Sequence, residues 1–353
     1  RNPGTKFSCD GFRVVIEDYS QAPTSATSIS VAPVAASSTI WVDAKNRSLE
    51  AKFVRLEDSN VVLDIQGKKT PVPMASLSSV SQQIARDLAK ELEPGVLHQA
   101  TVDKPFMNSL GMKFVPVPGT DVLFCMHETR RSDYAAFAAE SKAINNEWRE
   151  VSIKGVPVSG ADDHPVVNVS WNDASSFCNW LQEKEGLAYR LPTDREWSIA
   201  VGLGRFEDIT KSPEENMGEN QNQFPWGTTF PPPAGAGNYA NSQTKDRLSF
   251  IIPFVGYEDG HLTTAPVMSF KSNMFGLFDM GGNVWEWCED WFNIGQKERV
   301  LRGGSWWNGE HHAVLSSRRD YYAPDIRFVD RGFRAVISLQ RKSDDKTRVT
   351  IPR

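Results

Sequence analysis

The sequence predicts an α+β protein in which a small barrel of short strands precedes a larger, loop-rich unit. Alternating apolar residues near positions 49–65 set a strand period, and capped amphipathic stretches between Thr129 and Ala200 set a helical one. The third observation is a crowding of glycine and tryptophan in Gly281-Gly282-Asn283-Val284-Trp285-Glu286-Trp287, Arg302-Gly303-Gly304-Ser305-Trp306-Trp307 and Gly332-Phe333-Arg334. Tryptophan is large and carries an N–H that needs a partner, while neighbouring glycines permit close backbone approach. Together they predict a packed, irregular scaffold rather than a regular sheet.

The chain opens on a segment that its own C-terminal part repeats. Pro3 to Gly11 spans the same interval as Pro324 to Gly332, Phe7 coincides with Phe328, and Gly-Phe-Arg-Val-Val-Ile parallels Gly-Phe-Arg-Ala-Val-Ile. Residues 1–17 are therefore expected to be the terminal strand of a preceding related domain in a tandem protein. Residues 18–40, rich in Ser, Thr, Ala and Pro, are expected to form a flexible linker.

Residues 41–92 form the barrel and its helix. Leu49, Ala51 and Phe53 alternate, as do Val61, Leu63 and Ile65, with turn chemistry at Asp58-Ser59-Asn60 and Gln66-Gly67 and an edge at Pro71-Val72-Pro73. Ser81 to Leu92 is helical, with Ile84, Leu88 and Leu92 on one face. A linker at 93–105 leads to the second unit, 106–340, followed by a tail at 341–353.

The second unit begins with strands at Met112–Val115, where Met112 and Phe114 share a face, and at Val122–Phe124. Thr129 or Ser132 caps a helix carrying Tyr134 and Phe137; Asn172 caps one whose Ala174, Phe177, Cys178 and Leu181 share a face. Thr193-Asp194-Arg195-Glu196 is a capping box in front of Trp197 and Ala200. Beyond about residue 202 the sequence is loop-rich.

Composition narrows the function classes. The 353 residues carry 39 Lys+Arg against 44 Asp+Glu, a formal charge of -5 without a long basic run, so nucleic acid is not an expected partner. No apolar stretch reaches the roughly 20 residues that span a bilayer, so no membrane insertion is expected. The first residue is Arg1 rather than Met, so a signal or an upstream domain is expected to have been removed; localisation stays open, with an extracytoplasmic or periplasmic site favoured. Cys9, Cys125, Cys178 and Cys288 are far apart and form no CxxC, which argues against a thiolate zinc site or a redox pair.

Five motifs stand in a telling order: Asn108-Ser109-Leu110-Gly111-Met112-Lys113-Phe114-Val115, His164-Pro165-Val166-Val167-Asn168-Val169-Ser170-Trp171, Tyr189-Arg190-Leu191-Pro192-Thr193-Asp194-Arg195-Glu196-Trp197, Phe224-Pro225-Trp226-Gly227, and the glycine-tryptophan runs. Over about 106–340 this order resembles the formylglycine-generating enzyme (sulfatase-modifying factor) family. The resemblance implies that family's compact α+β fold, rich in irregular loops and related to C-type lectins. Residues 41–80 resemble, more weakly, the SH3-like barrel of the Sla homology type found beside such domains in some bacteria.

The family enzyme oxidises a substrate cysteine to formylglycine with copper held by two thiolates, a soft-ligand choice suited to Cu(I). Its cysteine positions align here with Asn308 and Ala313, and no cysteine follows Ser305. The resemblance therefore implies a non-oxidase member, with copper not expected and no catalytic residue assigned. Another branch uses iron and a histidine cluster; the histidines here, His98, His127, His164, His261, His311 and His312, form no such cluster upstream. His311 and His312 beside Glu310 read as surface residues, since neighbours on a strand point to opposite faces.

Calcium is the expected cofactor, because hard cations take carboxylate, amide and carbonyl oxygens from flexible loops. The resemblance implies one structural site at the Asn238 and Asp259 side chains with the Tyr239 and His261 carbonyls. It implies a second at the Asp279 and Glu286 side chains with the Gly282 and Val284 carbonyls. On chemistry alone, Asp279 and Glu286 serve equally well as hydrogen-bonding turn braces.

The segments Trp306 to His312 and Arg318 to Tyr322 occupy the region where the family enzyme receives its peptide. Trp306 is expected to fill the core; Trp307, Tyr321 and Tyr322 are expected nearer the surface, with Asn308, Glu310, His311 and Arg318 completing a ligand-binding set. The expected function is a calcium-braced, non-catalytic ligand- or protein-binding module, taking a peptide or protein ligand and possible further copies of the same domain. Two alternatives stand beside it: an oxygen-dependent enzyme of the formylglycine-generating type with non-cysteine ligands, and a structural subunit of a larger assembly.

Overall fold

A computed structural model of the chain describes residues 39–57, 59–91, 97–141 and 144–339. The expected terminal strand at 1–17, the linker at 18–40 up to residue 38, Leu92, residues 93–96 and the tail from 341 lie outside the described residues. The chain divides into two compact units of mixed α and β structure, the first running to Gln99 and taking in the short segments Met107–Gly111 and Glu183–Gly186, the second formed by the rest.

In the first unit, β1 (Thr39–Val42), β2 (Ser48–Glu57), β3 (Asn60–Ile65) and β4 (Lys68–Pro73) form an antiparallel sheet in sequence order, followed by α1 (Ser79–Glu91). Trp41, Ala51, Phe53, Val61, Leu63, Val72, Ala85 and Leu88 fill one core, and the Trp41 Nε1–H donates to the Ala51 carbonyl at 3.0 Å. The turn into β4 uses positive φ at both Gln66 and Gly67, the geometry that suits the right-handed twist of a tight hairpin. β4 lies at the sheet edge, where Pro71 and Pro73 remove no needed ladder donor.

The second unit holds two larger sheets. The first runs in the order β10 (Tyr189–Arg190), β15 (Val336–Ser338), β7 (Val122–Cys125), β6 (Lys113–Pro116), β5 (Phe106–Met107). The second runs β13 (Asp320–Tyr322), β12 (Arg299–Arg302), β11 (Trp285–Trp291), β14 (Arg331–Gly332), with β11 and β14 parallel. A hairpin joins β8 (Ser152–Ile153) and β9 (Val156–Pro157). The glycine-tryptophan runs meet this sheet only in part: Trp285, Glu286, Trp287, Arg302 and Gly332 lie in its strands, while residues 281–284 and 303–307, Phe333 and Arg334 are irregular, as their composition predicts. The glycines end the strands rather than interrupt them, and indole N–H groups find backbone acceptors outside the ladder: Trp287 Nε1 donates to Val169 and Trp171 Nε1 to Cys288.

Three helices pack on this framework: α2 (Arg131–Glu140), α3 (Trp171–Glu185) and α4 (Asp194–Ala200). The buried face of α3 carries Ala174, Phe177, Cys178 and Leu181, as its period requires. Phe177 stacks with Tyr134 and meets Phe137 and Phe333 edge-on, joining α2 and α3 to the segment after β14. Thr193 and Glu196 form the expected reciprocal cap on α4. Two other caps differ from expectation. The first residue of the α2 cap is Arg130, whose backbone N–H donates to Asp133 at 3.0 Å, rather than Thr129 or Ser132. On α3 the reciprocal bonds join Ser170 and Asp173, not Asn172. In both cases an aspartate three positions on supplies a charged acceptor, stronger than a hydroxyl alone.

Between Ala200 and Trp285 the described chain has only short helices, including α5 (Pro213–Asn216) and α6 (Ser242–Arg247). These loops carry several of the residues expected to bind a ligand or a cation.

Candidate functional site: a cleft beside the glycine-tryptophan runs

The turn after β12 is fixed by its own polar atoms. Asn308 Oδ1 accepts from the Ser305 backbone N–H at 2.9 Å and lies 3.1 Å from the Ser305 hydroxyl, which is also 2.9 Å from Asp330 Oδ2. The Trp306 N–H donates to the Asn283 carbonyl at 2.9 Å, and the Ala240 N–H to the Asn308 carbonyl at 3.1 Å. Trp306 is fully buried, while Trp307 and Asn308 are half-buried. His311–Ala313 is a 3₁₀ turn rather than the strand assumed in setting its two histidines on opposite faces. Both histidines are exposed.

Copper does not fit this turn. An amide already hydrogen-bonded to Ser305 and a methyl group stand at the two positions that the resemblance assigns to thiolates, and Cu(I) selects soft sulfur. Cys125, Cys178 and Cys288 are all buried. Burial raises each thiol, that of Cys125 to about 12, so none offers a ready thiolate.

Behind the turn lies a buried charge cluster that centres on a residue the sequence reading did not single out. Glu128 is fully buried and accepts from Asn283 Nδ2 at 2.6 Å and from the Val284 N–H at 3.2 Å. Burial, then the nearby Asp279 and Glu286 carboxylates, push its carboxyl well above the ordinary range. Arg334 is the compensating cation: it grips Glu286 at 2.7 and 2.6 Å and donates to the Cys125, Phe278 and Asp279 carbonyls. Trp197 Nε1 also donates to Glu286, at 3.0 Å.

Of the second expected calcium set, Asp279 is the side chain with an open oxygen. Its Oδ2 accepts from the Met268 N–H at 2.8 Å, while its Oδ1 is buried without a hydrogen-bond partner. Burial raises the Asp279 carboxyl to about 6. Glu286 is already occupied by Arg334 and Trp197. Gly282 (φ 80°) brings its backbone so close to the Asn238 carbonyl that an added Cβ would lie 2.4 Å from that oxygen, which places the two expected sets side by side. Asn283 ties them together: its Oδ1 accepts from Asn238 Nδ2 at 3.0 Å while its Nδ2 donates to Glu128.

In the first set, Asn238 donates to the Thr263 carbonyl at 2.7 Å and leaves its Oδ1 buried and unpartnered. Asp259 accepts from the Tyr239 N–H, the His261 N–H and Asn241 Nδ2, the last of which also donates to the His261 carbonyl at 2.8 Å. The Asn238 and Asp279 oxygens fit a hard cation; Asp259 and Glu286 already serve as protein braces. No group of three or more His, Cys, Asp or Glu side chains among the described residues is arranged to hold a metal.

The turn opens onto a cleft of about 560 Å³. Of the expected ligand-binding set, Trp307, Asn308, Glu310 and Arg318 line it. His311 instead packs edge-on against Phe224 and Phe230, Tyr321 stacks on Phe292 at 3.8 Å, and Tyr322 meets Phe328 with Arg331 over its ring. The cleft gains residues from outside that set: Trp285, His312, Asp320, and Phe328 to Arg331. Strand pairing explains the difference, because β13 turns its tyrosines toward neighbouring rings. The parallel contact of β14 with β11 brings Arg331 beside Trp285.

Comparison of the sequence with known families places these residues in one of them. The sulfatase-modifying factor enzyme 1-like domain matches residues 102–339. A formylglycine-generating enzyme from Streptomyces coelicolor is 33% identical over 204 residues, covering 53% of this chain and 57% of that protein. An inactive C-alpha-formylglycine-generating enzyme 2 from Mus musculus is 31% identical over 205 residues, covering 56% of this chain and 57% of that protein. The chain thus spans little more than half the length of these curated relatives. PvdO from Pseudomonas aeruginosa is a structural neighbour at 21% identity, with a TM-score of 0.43 over 62% of this chain and 80% of that one. No helix among the described residues is long and apolar enough to cross a membrane. The chain belongs to the sulfatase-modifying factor enzyme 1-like family.

Proposed function

We propose that this chain is a non-catalytic ligand- or protein-binding module of its family, braced by calcium, with the cleft beside Trp307 as its binding surface. One observation carries the reading: where relatives are expected to hold copper with two thiolates, Asn308 is tied to Ser305 and Ala313 presents a methyl group. The mouse relative whose name marks it inactive supports a family member without the reaction. The half-buried Trp307 and the mixed charges of the cleft suit a peptide or protein ligand, since aromatic and arginine side chains concentrate at binding hot spots.

The finer architecture belongs to the same reading. The four-stranded meander with its helix is an SH3-like barrel, and the second unit is a relative of C-type lectins, a fold that presents loops for recognition. Calcium is held through Asn238 and Asp279, whose buried oxygens have no protein partner, and it would order the loops behind the cleft without taking part in chemistry.

The test is turnover. Purified chain loaded with Cu(I) and given a Cys-x-Pro-x-Arg peptide should yield no aldehyde by mass spectrometry while retaining peptide binding. Conversion of the cysteine to formylglycine would replace this reading with the enzymatic one.

A further inference from the structure

The charges that line the cleft are unevenly paired. Arg327 is held by Asp173 at 2.8 and 3.0 Å, and Arg331 by Asp330 and Asp320, each at 2.7 Å. Arg318 also lines the cleft, yet among the described residues its side chain makes one hydrogen bond, to Met217 Sδ at 3.8 Å, and no ion pair. A second cation without an ion pair among the described residues stands nearby. Lys154 lies 4.2 Å over the ring of Phe250, which packs on the cleft-lining Trp307 at 5.2 Å, and Lys154 follows the cleft-lining Ile153.

An apolar rim accompanies these cations. Phe250 and Ile252 are 42% and 61% exposed, and the Ile252 carbonyl abuts the backbone of Gly309, within the cleft turn. The cleft therefore offers an unneutralised planar guanidinium next to aromatic and aliphatic surface. A guanidinium with free donors matches a carboxylate in two parallel hydrogen bonds. Glu310, Asp320 and Asp330 also line the cleft and would repel a dianion, so a singly charged acid suits it better than a phosphate.

We infer that the cleft recognises a peptide through one acidic side chain, whose carboxylate pairs with Arg318 while a neighbouring apolar side chain lies along Trp307, Phe250 and Ile252. This inference rests on the binding reading of the cleft and specifies the chemistry of its ligand.

The experiment uses the full chain and three arrays of eight-residue peptides, randomised except for a central Glu, Gln or phosphoserine. The best Glu peptides are then synthesised with Gln in place of Glu and measured by fluorescence anisotropy. Glu peptides should bind at least about tenfold more tightly than their Gln counterparts, the scale of a charged hydrogen-bonded pair. Arg318→Gln should bring that ratio close to one; Arg318→Lys, which keeps the charge but loses the fork, should fall between, with unchanged thermal melting in both variants. Trp307→Ala should weaken Glu and Gln peptides alike. Equal affinity for Glu and Gln peptides, a Glu preference that survives Arg318→Gln, or a preference for phosphoserine would each overturn the inference while leaving the binding reading intact. Failure of every array to bind would overturn both.

Discussion

Glu286 and Arg334 form a two-armed ion pair at 2.7 and 2.6 Å, with the Glu286 side chain 1% exposed and that of Arg334 fully buried. The first comes from β11 and the second follows β14, so the pair joins two glycine-rich motifs far apart in sequence. Arg334 is also the cation that offsets Glu128 and Asp279. Removing it should cost more than removing Glu286. We expect Arg334→Met to destabilise the chain by about 3–5 kcal/mol, as when one partner of a buried pair is lost, and Glu286→Gln by less. Urea denaturation of both variants measures the order; equal losses would show that Arg334 serves Glu286 alone.

Two neighbouring carboxyls should give the stability curve opposite slopes at different pH. Burial raises the Asp290 carboxyl to about 6. Its stabilising share is therefore complete below the unfolded value of about 3.9 and is lost as pH rises through about 6. Asp194, whose N–H donates to Asp290 at 2.6 Å, has the reverse sign. Burial alone would raise it, but Arg302 and Arg319 outweigh that and hold it below the ordinary range. Its share is present above about pH 4 and is lost as pH falls through its lowered folded value. Asp290→Asn should flatten the limb between pH 4 and 6 by about 1–2 kcal/mol, allowing for residual exposure, and leave acid unfolding at lower pH in place. Melting temperature across this range is the readout.

Gly309 holds the cleft turn against its neighbour. A Cβ at this position would lie 2.1 Å from the Ile252 carbonyl oxygen and 2.7 Å from the Pro253 carbonyl carbon, both backbone atoms that cannot rotate aside. Gly309→Ala should therefore shift the turn, costing about 1–3 kcal/mol and weakening peptide binding. Melting and anisotropy together check this, and an unchanged affinity would mean that the turn does not shape the binding surface.

Calcium removal should loosen the second unit. With EGTA we expect the melting temperature to fall by several degrees and to recover on adding excess Ca²⁺, because a ligand bound only by the native state stabilises it by mass action. Asp279→Asn should abolish most of this response. If EGTA leaves the wild-type melt unchanged, Asn238 and Asp279 are braces and not ligands.

The sequence by itself determined the local elements and the missing thiolates. Thr193 and Glu196 announced their helix because a cap satisfies backbone donors within one turn. The buried face of α3 followed from its period, and Asn308 and Ala313 were visible in an aligned motif. The caps at Arg130 and Ser170 are just as local, each closed by an aspartate three positions on. Tertiary structure decided which residues meet. Glu128 and Asn283 are 155 positions apart, and their 2.6 Å buried contact exists only because the segment before β11 and the segment after β7 fold together. The cleft has the same origin: Arg318 is distinguished from Arg327 and Arg331 not by residue type but by making no ion pair among the described residues. Local order depends on neighbours along the chain, whereas a buried charge or a free guanidinium is defined by partners that only folding brings within reach.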